Sequence, residues 1–269
     1  MNIDKLMKVE TVQRILITAF LLLISITMLF PLFWMISASM KYEADVFNFP
    51  IEWIPERSRM VENFSEVWNA DRYNFGQFYL NSVKVSVLST LLTLFVASTA
   101  AYAFAKINFR GRDFLFLGYI ATMMIPVQIM LVPRFMISRW LGLYDTHLGL
   151  ILMASFVPYA VFLFRQNMMM IPPSITESAS MDGASHLYIY SSIILPMVQP
   201  VIVIQAILKF IWSWNNYQAP LIFLQTRTKY TIQLGLKQFA DDSGTLISLV
   251  MAGSVSAIIP LIIIFLIGQ

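Results

Sequence analysis

The chain has 269 residues, of which 58% are hydrophobic and 12% charged, with a net charge of +3 and no cysteine. A soluble domain is roughly 45–50% apolar and 25% charged, so this balance excludes an ordinary soluble globular protein and points to a membrane. The lack of cysteine excludes disulfides and thiolate metal sites, and no basic run interleaves with aromatics as a nucleic-acid surface requires.

A bilayer core needs about 20 mostly apolar residues per helix. Six stretches meet this: residues 15–36, 78–105, 114–132, 148–164, 191–212 and 246–268. Lipid offers no partner for backbone polar groups, so each stretch is expected to be helical. The fold class expected is an all-α membrane protein with six transmembrane helices, in a single membrane domain over residues 1–269. Ser37-Ala38-Ser39, after the first stretch, imitates a signal-peptide cleavage site. The apolar run is too long for that and more spans follow, so it reads as an anchor.

Between the first two stretches, residues 41–75 mix acidic and aromatic residues: Glu43, Asp45, Trp53, Glu56, Glu62, Glu66, Trp68 and Asp71. This segment reads either as a solvated connection on the membrane surface or as a contact surface for an external partner. Lys84, early in the second stretch, and Lys209, late in the fifth, are expected to snorkel to an interface; the alternative is that they line or bridge a pathway. Asn81, Gln128 and Gln205 are neutral hydrogen-bonding groups within the stretches. Pro126, Pro158, Pro200 and Pro260 are expected to kink their helices. Trp212, Trp214 and Tyr217 surround Asn215 and Asn216. They read as an interfacial aromatic belt, or as a platform on which a sugar ring stacks while the amides bond its hydroxyls. Residues 215–244 end in the turn-rich tip Ala240-Asp241-Asp242-Ser243-Gly244.

A polar island at about residues 170–190 separates the fourth and fifth stretches. Pro172-Pro173 should end the preceding helix. Ser174 and Glu177 have capping-box spacing, with the hydroxyl on the amide of Glu177 and the carboxylate returning to the amide of Ser174. A short helix should run to about Asp182, whose side chain is expected to hold the turn, with Gly183 at positive φ. Ser185 should cap the next helix, which leads into the fifth stretch. The result is a helix-turn-helix on the membrane surface. Its small residues Ala179 and Ala184 would allow close approach of a partner, and Glu177 could bond a partner's Arg or Lys.

No phosphate-binding G-x-x-x-x-G-K-[ST] motif and no H-E-x-x-H motif occur. His147 and His186 therefore read as surface residues rather than catalytic or metal groups, and no paired intramembrane carboxylates suggest an ion relay.

The run Glu177-Ser178-Ala179-Ser180-Met181-Asp182-Gly183-Ala184, followed by Ile193, Leu195 and Pro196, resembles the EAA loop of ABC importer permeases. That pattern is E-A-A-x-x-D-G-A, a spacer of eight, then I-x-L-P; Ser178 replaces one Ala. The segment Trp214-Asn215-Asn216-Tyr217-Gln218-Ala219-Pro220-Leu221 and the six-span plan are similar to the second permease of the carbohydrate-uptake branch. The resemblance implies a cytoplasmic coupling loop built on Glu177, Ser178, Ala179, Asp182, Gly183 and Ala184. It implies a sugar pathway near Trp214, Asn215, Asn216 and Tyr217, and carriage of a di- or oligosaccharide.

The same resemblance implies a second permease, two ATPase subunits that bind the ATP and Mg, and an extracytoplasmic solute-binding protein. This chain itself would carry no cofactor and no catalytic group, and would sit in a bacterial or archaeal cytoplasmic membrane with both termini inside. In the related maltose permease the loop after the fifth span reaches into the sugar-binding protein; here its tip is short. Relatives carry a tail after the last helix, so the end at Gln269 suggests truncation. Counts of basic residues do not fix the orientation, although Lys106, Arg110 and Arg112 cluster in one short loop. A secondary transporter and a structural membrane subunit stay open as alternatives.

Overall fold

Proline breaks some of the apolar stretches, while Pro31 and Pro260 sit inside unbroken helices. The computed structural model describes residues 3–70, 74–241 and 244–268, with side chains set aside at 3–12, 240 and 241. Asp71, Arg72, Asp242, Ser243 and Gln269 lie outside the described residues. So do the side chains of Lys5, Lys8, Ala240 and Asp241.

The α-helices, in chain order, are α1 (Ile3–Ser39), α2 (Met60–Asn69), α3 (Phe75–Lys106), α4 (Arg112–Ala121), α5 (Leu131–Trp140), α6 (His147–Ser155) and α7 (Pro158–Met170). They continue with α8 (Pro173–Met181), α9 (His186–Tyr188), α10 (Leu195–Met197), α11 (Gln199–Trp214), α12 (Gln218–Phe223), α13 (Ile232–Gly235) and α14 (Ile247–Gly268). A π-helix, Ile189–Ile194, joins α9 to α10. Two short antiparallel strands, β1 (Ala240–Asp241) and β2 (Gly244–Thr245), form a hairpin.

Among the described residues three helices are long and apolar enough to cross a membrane alone: Gln13–Ser39 within α1, α3 and α14. Two bent pairs pass the same test together, α6 with α7 at 44° and His186–Met197 with α11 at 79°, giving up to five spans. Pro158 begins α7, and Val157 before it is extended, as a residue preceding proline prefers. Pro200 opens α11 directly after the second break. Of the four expected kinks, those at Pro158 and Pro200 are full breaks, whereas Pro260 lies inside the unbroken helix α14. The fourth expected span runs on to Met170 rather than Phe164, and the fifth expected span has its break inside it.

The third expected span, 114–132, is not one helix. Here α4 ends at Ala121, a 3₁₀ turn follows, and Ile125 before Pro126 is extended. Proline removes a donor and pushes its predecessor out of helical geometry.

Contacts divide the chain into two compact units, Met1–Tyr73 with Gln238–Ile258, and Asn74–Lys237 with Ile259–Gln269. In the first, every described side chain from Gln13 to Pro31 is exposed, the pattern of a helix surrounded by lipid. The acidic loop after it folds back as a brace. Asn63 of α2 donates to the carbonyls of Ser39 and Lys41 at 2.9 and 2.8 Å. The Glu43 carboxylate accepts from the amides of Ile247 and Ser248, each at 2.8 Å, and from the Ser248 hydroxyl. It thus caps the first turn of α14, where four amides lack helical partners.

In the second unit α3 is the central helix, packed by α6, α7 and α11. Its buried positions Ser82, Ser86, Ser89, Thr93, Ala97 and Ala101 share one face, spaced by three and four residues. Small residues at such spacing let membrane helices approach closely. One end of α3 meets Ala160, Val161, Phe164 and Met168 of α7 together with Ile189, Tyr190 and Ile194. Further along, Val85 joins Leu150, Ile151, Phe223 and Leu224.

Candidate functional site

The expected surface turn is present, but backbone chemistry builds it more than the side chains do. Helix α8 starts at Pro173 with Pro172 in the cap position, and no side chain caps it. The Ser174–Glu177 capping box therefore does not form: Ser174 already lies inside the helix, and its carbonyl accepts from the Ser178 hydroxyl at 2.8 Å. Proline in the first turn needs no donor partner, which makes such a side-chain cap dispensable.

The C-terminal end is a Schellman motif. Ala184 donates its amide to Ala179 O at 3.0 Å, Gly183 donates to Ser180 O at 3.1 Å, and Gly183 has φ of +82°. Asp182 is exposed and its carboxylate makes no hydrogen bond among the described residues, so it does not hold the turn as expected. Ser185 caps α9 as expected, its hydroxyl accepting from the Tyr188 amide at 3.3 Å.

Ala179 and Ala184 differ from expectation in direction. Both are half-buried and pack against the core shared by α3 and α7. They stand at the two positions where an apolar contact commonly accompanies a Schellman turn, and they face the subunit's own interior. The outward face carries Glu177, Ser178, Met181, Asp182 and Leu187, all exposed. Glu177 makes no hydrogen bond or ion pair among the described residues, and the Ser178 hydroxyl is turned back onto its own helix.

Three tethers fix this element to α3. Lys106 donates to Ile171 O at 2.7 Å, immediately before the proline pair. The Tyr102 hydroxyl and His186 Nδ1 are 3.3 Å apart, and the Tyr190 hydroxyl shares a 2.7 Å hydrogen bond with Ser98. Tyr190 belongs to the π-helix, a geometry often found at functional sites. The motif pattern located the turn. The tethers lie some 65 to 92 residues apart in sequence and carry no local signal.

The second group of expected site residues does not form one open platform. Trp214 is 1% exposed, stacked on Phe210 at 5.6 Å and edge-on to Tyr79 at 5.4 Å. It is a core residue, neither an interfacial belt nor a free stacking surface. Asn216, just before the cap position of α12, accepts at Oδ1 from the first-turn amide of Ala219 at 3.1 Å. Asn215 is exposed, bonded to Ile211 O and Gln233. Tyr217 lies beneath the Lys237 ammonium at 4.6 Å, and its buried hydroxyl has no hydrogen-bond partner among the described residues.

Lys209 does not snorkel: it is 6% exposed and donates to Ala154 O, while Lys84 is exposed. His147 is also tied in, with Nε2 at 2.9 Å from Lys229 O.

Sequence reading missed a clamp on the loop between α5 and α6. Asp145, at φ of +55°, accepts from the amides of Gln225 and Thr226 at 2.8 and 3.0 Å, from the Thr226 hydroxyl, and from Lys229 at 2.9 Å. Burial alone would raise its pKa. The bonds from Thr226, Gln225 and Lys229 outweigh that and hold the carboxyl well below the usual carboxylate range. The segment after α12 that Asp145 grips is also held by Asn81 of α3, which donates to the carbonyls of Thr228 and Tyr230 at 2.8 and 2.9 Å. A lone Asp between polar neighbours gives no motif, although tolerance of positive φ by Asp is a weak signal. Among the described residues no cluster of three or more His, Asp or Glu could hold a metal ion.

The chain is similar to known proteins over nearly its whole length. The arabinooligosaccharides transport system permease protein AraQ of Bacillus subtilis is 33% identical over 260 residues, covering 96% of this chain and 92% of that protein. The melibiose/raffinose/stachyose import permease protein MelC of the same organism is 28% identical over 239 residues, covering 88% and 85%. Among solved structures, a bacterial ABC transporter involved in the import of the acidic polysaccharide alginate has a chain of the same fold. Its TM-score is 0.85 at 23% identity, with 96% of this chain and 95% of that one covered. The family model described as binding-protein-dependent transport system inner membrane component matches residues 90–269, which take in the α8–α9 turn and its tethers. This is therefore a multi-pass membrane permease of that family, the non-catalytic membrane subunit of an ABC importer.

Proposed function

We propose that this permease carries a di- or oligosaccharide inward across a bacterial or archaeal cytoplasmic membrane, paired with a second permease. ATP, with Mg, is bound and hydrolysed on two separate ATPase subunits, and an extracytoplasmic binding protein delivers the sugar. The sugar assignment rests on the relatives, which are named for arabino-oligosaccharides and for melibiose, raffinose and stachyose. The binding protein rests on the family description, and on an alginate transporter structure that includes a periplasmic protein bound to an alginate pentasaccharide.

The observation that carries the mechanism is the α8–α9 turn. A rigid, backbone-closed turn presents an unpaired Glu177 outward and is bonded inward to α3 at Lys106, Tyr102 and Ser98. An ATPase docked on the outer face would push on an element that cannot deform locally. Its motion would reach α3, and with it the packed α6, α7 and α11. That is coupling between two sites through a shared two-state element. In this reading α4 with the broken segment up to α5 completes a sixth span, and both termini and the turn face the cytoplasm. Asn215 and Tyr217 are the members of the 214–217 group left to meet a sugar, because Trp214 is enclosed.

The test is reconstitution. Proteoliposomes holding this permease with its co-expressed permease, ATPase and binding protein should take up labelled arabinotriose or raffinose only with internal ATP. Uptake of neither sugar, with ATP hydrolysis intact, would remove the sugar assignment. Uptake driven by an ion gradient without ATP would remove the importer mechanism.

A further inference from the structure

A lysine inside an apolar helix bundle demands a partner, because an uncompensated charge there is costly. Lys209 lies on α11, five residues before Trp214, and is almost fully enclosed. The only hydrogen bond it makes among the described residues goes to the backbone carbonyl of Ala154, on α6. Its ammonium also sits 4.4 Å from the centre of the Trp212 ring.

The choice of carbonyl has a local cause. In a continuous helix Ala154 O would accept from the amide four residues on. That residue is Pro158, which has no amide hydrogen. Ala154 O is thus an acceptor that the backbone cannot satisfy, at the point where α6 and α7 break by 44°. Freed carbonyls at a proline break in a membrane have to be satisfied by neighbouring helices, side chains or water. Here the donor comes from a third helix.

We propose that Lys209 is a positioning residue: its ammonium replaces the backbone donor missing at Pro158 and ties α11 to the α6–α7 joint. The joint then has a fixed bend, and α11 and the joint move as one when the permease changes access. The same pairing explains why a proline break and a membrane lysine occur in one subunit, since each would be unfavourable without the other. This role depends on neither the identity of the cargo nor the docking of the ATPase.

A double-mutant cycle in the assembled complex tests it. Lys209→Met should reduce the folded complex surviving a heat step about tenfold, the scale of an orphaned buried carbonyl. Pro158→Ala restores an amide at the position the carbonyl needs, so it should stay within about threefold of the parent. Lys209→Met added to Pro158→Ala should then cost about threefold or less, a coupling that only interacting sites show. Lys209→Arg, which keeps a donor, should recover more than Lys209→Met.

A second measurement reads the bend itself. The chain has no cysteine, so spin labels placed at Leu148 and Met169, both exposed, report the distance across the joint. Lys209→Met should broaden that distance distribution, and adding Pro158→Ala should narrow it again. Three results would overturn the proposal. One is an equal cost of Lys209→Met in both backgrounds, and another is a Pro158→Ala loss as large as that of Lys209→Met. The third is an unchanged distance distribution in Lys209→Met.

Discussion

Gly183→Val isolates the coupling turn from everything else in the subunit. Gly183 has φ of +82°, and a Cβ built there meets nothing within 4 Å. Any effect must therefore come from the backbone, not from a clash. Left-handed geometry costs an ordinary residue about 1–2 kcal/mol, and a β-branched residue is a true outlier there. A cost of roughly 1–3 kcal/mol follows, which favours turns lacking the bonds from Gly183 to Ser180 O and from Ala184 to Ala179 O by about 5- to 150-fold. Since no packed core side chain is changed, membrane level should match the parent. Retention of the ATPase subunits on the purified complex should fall, and ATP-driven uptake with it. Gly183→Asn is the control, because Asn tolerates this region and should retain most activity. Parental ATPase retention and uptake in Gly183→Val would refute the argument that this turn transmits the motion.

Glu177→Ala should leave subunit stability unchanged, because the carboxylate caps nothing, yet weaken ATPase retention by up to about 1.5–3 kcal/mol, the worth of a charged hydrogen bond; a fall in the subunit's own melting temperature would contradict this. Trp214→Ala should cost about 3–5 kcal/mol of stability and appear as lost membrane level, whereas Asn215→Ala should leave level intact and alter only the sugar concentration for half-maximal uptake. A normal level of Trp214→Ala protein would place Trp214 outside the core. Asp145→Asn should lower the melting temperature at neutral pH by removing the ionised partner of Lys229 and Thr226. The native carboxyl lies below its unfolded value near 3.9, so its stabilisation is full above that value and is lost as pH falls through the lower native value. The gap between Asp145→Asn and parent, followed by melting from pH 7 down to pH 3, should therefore hold flat and shrink only at the acid end.

The sequence made the membrane class and the α8–α9 turn legible for different reasons. Apolar run length is a local quantity, and so is the turn pattern, because Gly183 must supply positive φ and Pro172-Pro173 must stop a helix whatever lies around them. The errors cluster where tertiary structure chooses between local options. Ser174 and Glu177 have capping-box spacing, but the chain enters α8 two residues earlier, with Pro172 at the cap and Pro173 first in the helix. Ala179 and Ala184 are small, which suits either a partner's approach or a tight contact with the subunit's own core; only the position of α3 and α7 decides for the core. Trp214 and Trp212 stand two apart and differ completely, one enclosed and one 55% exposed, because two residues are about 200° apart on a helix.

The breaks follow the same logic and explain why the spans resist counting from hydropathy. A window of apolar residues records that a segment avoids water, not that its backbone is continuous. Pro126, Pro158 and Pro200 each interrupt an apolar run; at Pro126 a 3₁₀ turn answers the lost donor, with the Ile125 amide on Thr122 O at 3.2 Å. At Pro158 the missing donor is found on another helix, in Lys209. The residue hardest to reconcile with a membrane is thus the complement of a residue hardest to reconcile with a helix. That pairing spans 55 residues of sequence, and it turns two local violations into one specific contact. Breaks of this kind set where the helices bend, and the bond across this one ties α11 to the α6–α7 joint.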